Sequence, residues 1–419
     1  MESSTLNRAD AVTGLDRFCR QLLLRALSSA DQGVLVIRDA DGEFRVGDRS
    51  AIAQQVARIN IIDSSCYRHL VLGGSIGAAE AYMTGDWTTP DLTAVIRFMS
   101  RNLSALEKME SGLAKLTRPL QRLYHWGNRN TEKGARRNIA AHYDLGNDLF
   151  ECFLDPSMMY SSAIFDSADT TLEQASLAKL DRICRKLQLQ PGDHVVEIGT
   201  GWGGFAIHAA GRYGCRVTTT TLSRRQYEYA RARIQTLGLE NRITLLLEDY
   251  RDLQGRYDKL VSIEMVEAVG HRYYPVYFET LGRLLKDNGL GLIQAITIDD
   301  KRYHQAIRNV DFIQRYIFPG SCIPSVTALL QACGRSSDLQ LIHMDDITPH
   351  YARTLRDWRH NFFHNIKRIR ELGYSEEFVR MWEFYFCYCE GGFEERVIGD
   401  VQLLFAKPGY RGETLPRTN

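Results

Sequence analysis

Glu197 stands two residues ahead of four closely spaced glycines, Gly199, Gly201, Gly203 and Gly204, in the stretch DHVVEIGTGWGGFAIHAA from Asp193 to Ala210. The run Val195, Val196, Ile198 before them is short and β-branched, as in a strand covered on both faces. Glycines, lacking Cβ atoms, permit a tight turn and a close backbone approach to a ligand. Such a G-x-G-x-x-G turn serves more than one nucleotide, so its neighbours must decide. A nicotinamide site has an Asp or Glu about 20 residues further on, at the end of the second strand. Here that strand, CRVTTTTL from Cys215 to Leu222, lacks the acid and runs through Thr221 and Ser223 into a helix with Gln226. The third strand, Arg242 to Glu248, leads into Asp249 and Tyr250. An acid at the glycine turn, hydroxyl and amide groups after strand two, and an Asp beside an aromatic after strand three suit an amino-acid sulfonium nucleoside.

The elements that must position these groups follow from length and pattern. The chain has 419 residues, too many for one ordinary core, and 44% hydrophobic with 25% charged residues is a soluble globular balance. A net charge of +1 gives no global pull toward nucleic acid or anionic membrane. Nine cysteines without a C-x-x-C pair read as reduced thiols, and no metal site is expected. No run of about 18 apolar residues predicts a membrane span, and the polar start is not a secretory signal, so a cytoplasmic protein is expected.

Residues 1–104 predict a small α+β domain, with a hairpin of GVLVIRD and EFRVGD. Residues 105–137 predict a basic helical linker, with Lys115, Arg118, Arg122, Arg129, Lys133, Arg136 and Arg137, suited to anionic head groups. From 138 to 419, strands and helices alternate as βαβ units of a doubly wound, mostly parallel sheet. VVEIG, RVTTTTL, ITLLLED, KLVSIEM and LGLIQAI are its five strands in order, and Val397 to Lys407 is an expected antiparallel edge. An apolar insertion at about 301–337, with Phe312, Tyr316, Ile317 and Phe318, is an expected apolar entrance to the site.

The glycine-turn pattern resembles the S-adenosylmethionine-dependent methyltransferases, which implies a class I, Rossmann-like fold. NIAAHYDLGNDLF, LDPSMMYSSAIF, VVEIGTGWGG, TLSRRQ, EDYRDL, SIEMVEAVG, FIQRYIFPGSCIPS and YFCYCEGGF, in that order, resemble the cyclopropane-fatty-acyl-phospholipid synthase family. With GSIGAAEAYMTGDW, similar to that family's lipid-engaging domain, the resemblance runs from about Gly73 to Phe405.

The resemblance implies methyl transfer to the double bond of an unsaturated phospholipid acyl chain, then proton loss from a carbocation to close a cyclopropane. It implies a bicarbonate as base, held by a Cys, a Glu, a His, an Ile and a Tyr. Those positions fall on Ser162, Glu267, Gln294, Ile296 and Tyr351, so Ser replaces Cys and Gln replaces His. Gln294 donates a hydrogen bond but cannot titrate near neutral pH. The same cation, losing a different proton, would give a methylene branch instead of a ring.

A C-terminal cysteine of the family falls on Cys389, although carbocation chemistry needs no thiol. Glu264, read as one helical turn before Glu267, is the second carboxylate, and His271 a weaker base. Tyr143, Phe150, Tyr160, Phe165, Tyr274, Tyr316 and Phe318 are candidates to face the cation. Tyr160 and Ser161, with Glu197, Gly199, Gly201, Gly203, Thr221, Gln226, Asp249 and Tyr250, are the expected cofactor site. The expected partners are an unsaturated phospholipid and an anionic membrane surface at the inner face, with no nucleic acid and with a homodimer left open. Rival readings are a small-molecule methyltransferase of the same fold and a non-catalytic lipid-binding protein.

Overall fold

A computed structural model describes residues 14–47, 56–104 and 146–412, which fall into two units. The first holds the described residues up to 104 together with 373–395. Its four-stranded sheet has the order β2-β1-β3-β4, with β1 Val34–Asp39, β2 Gly42–Gly47, β3 Val56–Ile61 and β4 Trp87–Thr88. The expected hairpin is present, β1 pairing antiparallel with β2, and β1 also pairs parallel with β3. The helix Ser65–Thr84 ends at Gly85 in the left-handed conformation (φ 87°), where the Cβ of another residue would be strained. The helix Glu376–Glu394, capped by the Ser375 hydroxyl, belongs to this unit: Tyr82 donates to Glu383 at 2.7 Å, and Arg97 and Arg101 pair with Glu395. The expected domain of residues 138–419 would include this helix, whereas it falls in the first unit. Val379, Trp382 and Phe386 are buried along one face of the helix, and Phe384 is buried on another.

The second unit carries a seven-stranded sheet of order β10-β11-β9-β8-β5-β6-β7. These strands are β5 His194–Ile198, β6 Arg216–Thr220, β7 Ile243–Leu246, β8 Tyr257–Ile263, β9 Leu285–Ile298, β10 Gln340–Asp346 and β11 Ile398–Ala406. All five expected strands are present and pair in parallel. The chain fills one side of β5 with β6 and β7, then crosses to β8 and β9 on the other, which makes the β5/β8 boundary a topological switch point. Ligands of such sheets bind in the crevice at the strands' carboxyl ends there. Val195, Val196 and Ile198 are almost wholly buried, each burial contributing on the order of 2 kcal/mol.

One expectation needs correction. β11 is antiparallel, as expected, but it lies inside the sheet between β9 and β10. Its residues Val401–Ala406 are all buried and need covering on both sides, whereas β10 is mostly exposed and takes the edge. The insertion after β9 is helical in good part, and its helix Val326–Ser336 presents Leu329, Ala332 and Cys333 to the core beneath the helix Tyr274–Leu284. The basic linker and Tyr143 lie outside the described residues. No described helix is long and apolar enough to cross a membrane.

Candidate active site

The carboxyl ends of β5, β6 and β7 bring the expected cofactor residues together. Glu197 faces Thr219 across the β5–β6 register and accepts its hydroxyl at 2.6 Å, while Thr219 also meets the Thr200 hydroxyl at 2.7 Å. Burial pushes the Glu197 carboxyl up to about 8. Gly199, Gly201 and Gly203 all have positive φ (99°, 54° and 88°). A Cβ on Gly199 would come within 3.2 Å of the Met265 side chain, whereas beside Gly201 there is open space. A turn of this kind, with a buried acid at its base, fits a nucleoside approaching the backbone. After β6, Thr221 donates to Gln226 Oε1 at 2.9 Å, and Ser223 caps the next helix through Gln226 N. After β7, Asp249 is buried and held by both guanidinium arms of Arg251, and Tyr250 packs edge-on to Tyr277 at 5.8 Å.

The second half of the site gathers at the ends of β8, β9 and β11. Glu264 follows β8 directly, with a left-handed backbone (φ 47°), and Glu267 sits in a separate short 3-10 turn, Val266–Ala268. The expected helical spacing of the two acids is therefore wrong: the chain turns sharply between them. That turn aims the Glu264 carboxylate at three donors. Oε1 accepts the Ser162 backbone amide at 2.8 Å and Gln294 Nε2 at 2.7 Å, and Oε2 accepts the Tyr351 hydroxyl at 2.5 Å. Glu267 Oε1 accepts the Ile296 amide at 2.5 Å. Its Oε2 is buried with no hydrogen-bond partner among the described residues.

Gln294 has its orientation dictated by its neighbours. Register places Gln402 on β11 directly opposite, and Gln402 Nε2 donates to Gln294 Oε1 at 3.0 Å. Lys186 in turn donates to Gln402 Oε1 at 2.7 Å, so donation runs from Lys186 through Gln402 to Gln294, whose N–H groups are left for Glu264. Gln294 Nε2 also reaches Asp400 Oδ2 at 3.2 Å, which adds a third, fully buried carboxyl that the sequence reading missed. Lys179, likewise missed, is wholly buried and donates to Ser161 at 2.7 Å. Burial draws its ammonium down to about 8.

Burial also dominates at the acids. It raises Glu264 against its three hydrogen bonds, lifts Glu267 to about 8 with help from the Glu264 charge, and holds Asp400 far above the carboxylate range. Protons are thus shared within a dry acidic cluster opposed by Lys179.

Phe150, Tyr160 and Phe318 join a common aromatic group, Tyr160 lying 5.3 Å from Phe150 and 6.1 Å from Phe318. Trp202 and Trp358, not singled out from sequence, complete it at 4.8 Å from Phe150 and 5.2 Å from Tyr160. Phe165 instead lies under the Arg353 guanidinium at 4.0 Å, and Tyr274 is committed to the core through the Cys322 carbonyl. Tyr316 packs with a tilted ring against the wholly buried Phe312 at 5.6 Å, and Ile317 is also buried. His271, in a short turn after Gly270, has its Nδ1 4.0 Å from Cys322 Sγ. Cys389 is on the helix of the first unit, and the acids are all in the second.

Fold and site together define a class I S-adenosylmethionine-dependent methyltransferase. Residues 130–403 match the family model described as mycolic acid cyclopropane synthetase, and the chain belongs to that family. It is 39% identical to the tuberculostearic acid methyltransferase of Mycobacterium tuberculosis over 80% of each chain. It is 37% identical to the cyclopropane-fatty-acyl-phospholipid synthase of Escherichia coli K12, over 86% of this chain and 91% of that one. The solved structure of the mycolic acid cyclopropane synthase CmaA1 complexed with SAH and CTAB superposes with a TM-score of 0.59. That match has 31% identity and covers 65% of this chain and 98% of the other. S-adenosylmethionine is accordingly the cofactor.

Proposed function

We propose that this enzyme adds a one-carbon unit to the double bond of an unsaturated phospholipid acyl chain and closes it to a cyclopropane. When bound, S-adenosylmethionine supplies a methyl group made electrophilic by the adjoining sulfonium. An alkene is a weak nucleophile with no proton to remove beforehand, so the chain's own residues must position it and stabilise the cation that follows.

The observation that carries this reading is the direct junction of aromatic faces with a caged carboxylate. Tyr160 lies 5.2 Å from Trp358, Trp358 lies 6.0 Å from Tyr351, and the Tyr351 hydroxyl rests on Glu264. Aromatic faces are worth on the order of 0.5–2 kcal/mol each to a desolvated cation. The adjoining acids take up the proton. Glu267, Gln294, Ser162, Ile296 and Tyr351 build the acidic end in this reading. Tyr160, Ser161, Glu197, the three glycines, Thr221, Gln226, Asp249 and Tyr250 hold the cofactor. Membrane binding through the basic stretch, at the inner face, belongs to the same proposal.

A second product, a methylene-branched chain, is favoured by the relative named for tuberculostearic acid and by Gln294 standing where the resemblance expects a His. The test is incubation of the full chain with labelled S-adenosylmethionine and vesicles of monounsaturated phospholipid, read by mass spectrometry and proton NMR. Cyclopropane protons support the main reading and vinylic methylene protons the second. Label entering saturated lipid alone, or a soluble amine without lipid, would overturn both.

A further inference from the structure

The donors that the family resemblance reserves for a bicarbonate are occupied here by the chain itself. The Ser162 amide, the Gln294 side chain and the Tyr351 hydroxyl all close on the Glu264 carboxylate, at 2.8, 2.7 and 2.5 Å. The Ile296 amide is on Glu267. An added anion would have to displace Glu264 from all three donors, or sit beside it in a dry cluster that already holds Glu267 and Asp400. Bicarbonate therefore does not fit this cradle.

We infer that the Glu264 carboxylate is the built-in proton acceptor of this enzyme, in the place the resemblance gives to a bound bicarbonate. Three features of the site support it. Gln402 and Lys186 orient Gln294 so that its N–H groups, not its carbonyl, meet Glu264. The left-handed backbone at Glu264 (φ 47°), uncommon for a residue with a Cβ, is what turns the side chain back into the cradle. Of the three carboxyl residues Asp400 is wholly buried and Glu267 is buried, while Glu264 is half-buried, so it is the better placed to meet a substrate.

As a chemical step, the inference rests on the alkene reading. Starting from the acyl-chain cation, a C–H bond of the newly attached methyl breaks and its proton goes to a Glu264 oxygen. The bonding pair then forms the second C–C bond of the ring. If a hydride first shifts between the two former alkene carbons, the same proton loss leaves that pair in an exocyclic double bond. Neither route consumes another reagent. The carboxylic acid so formed lies among Glu267 and Asp400, which can share its proton.

The cradle is tested first by binding. Carbon-13 bicarbonate is titrated into the full-length wild-type chain and into Glu264→Gly, with line broadening in carbon NMR as the readout. Glycine suits the positive φ and empties the cradle. Wild type is expected to show no saturable broadening and Glu264→Gly to show it. Turnover of wild type in carbon-dioxide-free buffer is expected to be unchanged by added bicarbonate. Glu264→Gln, which keeps the shape should the glycine variant fail to fold, is expected to lose at least about 100-fold in kcat, and bicarbonate is expected to restore part of the loss in Glu264→Gly. Saturable bicarbonate binding by wild type, bicarbonate-dependent wild-type turnover, or full activity of Glu264→Gln would each overturn the inference. Because the binding arm needs no lipid, it decides the cradle's occupant even where the alkene reading fails.

Discussion

The backbone amide of Ser162 donates to the carboxylate of Glu264 at 2.8 Å, across 102 residues of sequence. The contact ties the loop after Tyr160 and Ser161 to the end of β8. Whatever moves Glu264 therefore disturbs both the acidic cluster and the aromatic group that Tyr160 anchors.

Glu267→Gln should abolish turnover while leaving S-adenosylmethionine binding nearly intact. Its Oε1 holds the Ile296 amide and its Oε2 has no hydrogen-bond partner among the described residues, so the amide replacement keeps the shape and removes only an ionisable oxygen. A loss of about 100-fold or more is expected from removing a group engaged in proton transfer. Calorimetry with the cofactor alone separates the roles; lost cofactor affinity would move Glu267 out of the acidic site.

Gln294→Leu should destabilise the fold as well as slow the reaction. The amide bridges Glu264, just after β8, to Asp400 and Gln402 on β11. Removing it leaves buried donors and acceptors unmatched, at about 1–3 kcal/mol for each group left bare. Urea unfolding of the variant should show a lower midpoint with an unchanged slope.

Much of this site was legible in the sequence, and the reason for the rest is local. The glycine turn, Glu197, Thr221 and the five strands carry strong periodic or compositional signals. Gln294 and Tyr351 were reached through resemblance. Glu264 was undervalued because a helical spacing to Glu267 was assumed, and a single residue of left-handed backbone after β8 cancels that spacing. Lys179 lies within the helix Leu172–Lys186 with no motif to mark it, and Asp400 and Gln402 are spaced two apart on a strand, as any polar pair there could be. Only the antiparallel register of β9 with β11 brings the latter two against Gln294.

Cofactor affinity should rise with pH. Glu197, raised from its ordinary 4.5 to about 8, is largely protonated at neutral pH in the free protein. A cofactor bearing sulfonium and ammonium charges favours the ionised form, so its Kd should fall by up to about tenfold per pH unit as pH approaches 8, and then level off. Stability runs the other way. Glu197 and Glu267 hold their protons in the folded chain above 4.5, where the unfolded chain has released them. Their contribution is complete below that value and is lost as pH rises toward 8. Calorimetric titrations at several pH values check the first trend, and thermal unfolding without cofactor checks the second. A Kd flat across neutral pH would mean that Glu197 is not coupled to binding.

Lys179→Met tests whether the acids act as one electrostatic unit. The ammonium is buried, bonds to Ser161, and favours the charged forms of Glu264, Asp400 and Glu197. Methionine keeps most of the side chain's apolar length while removing the charge, so all three acids should hold their protons to higher pH. The acid limb of kcat against pH should therefore move upward, and turnover at neutral pH should fall while activity partly recovers in more alkaline buffer. A variant damaged only in packing would lose activity evenly across the profile and leave the limb in place. That second outcome would reduce Lys179 to a structural tie for Ser161 and would leave the ionisation of Glu264 to its three hydrogen-bond donors alone.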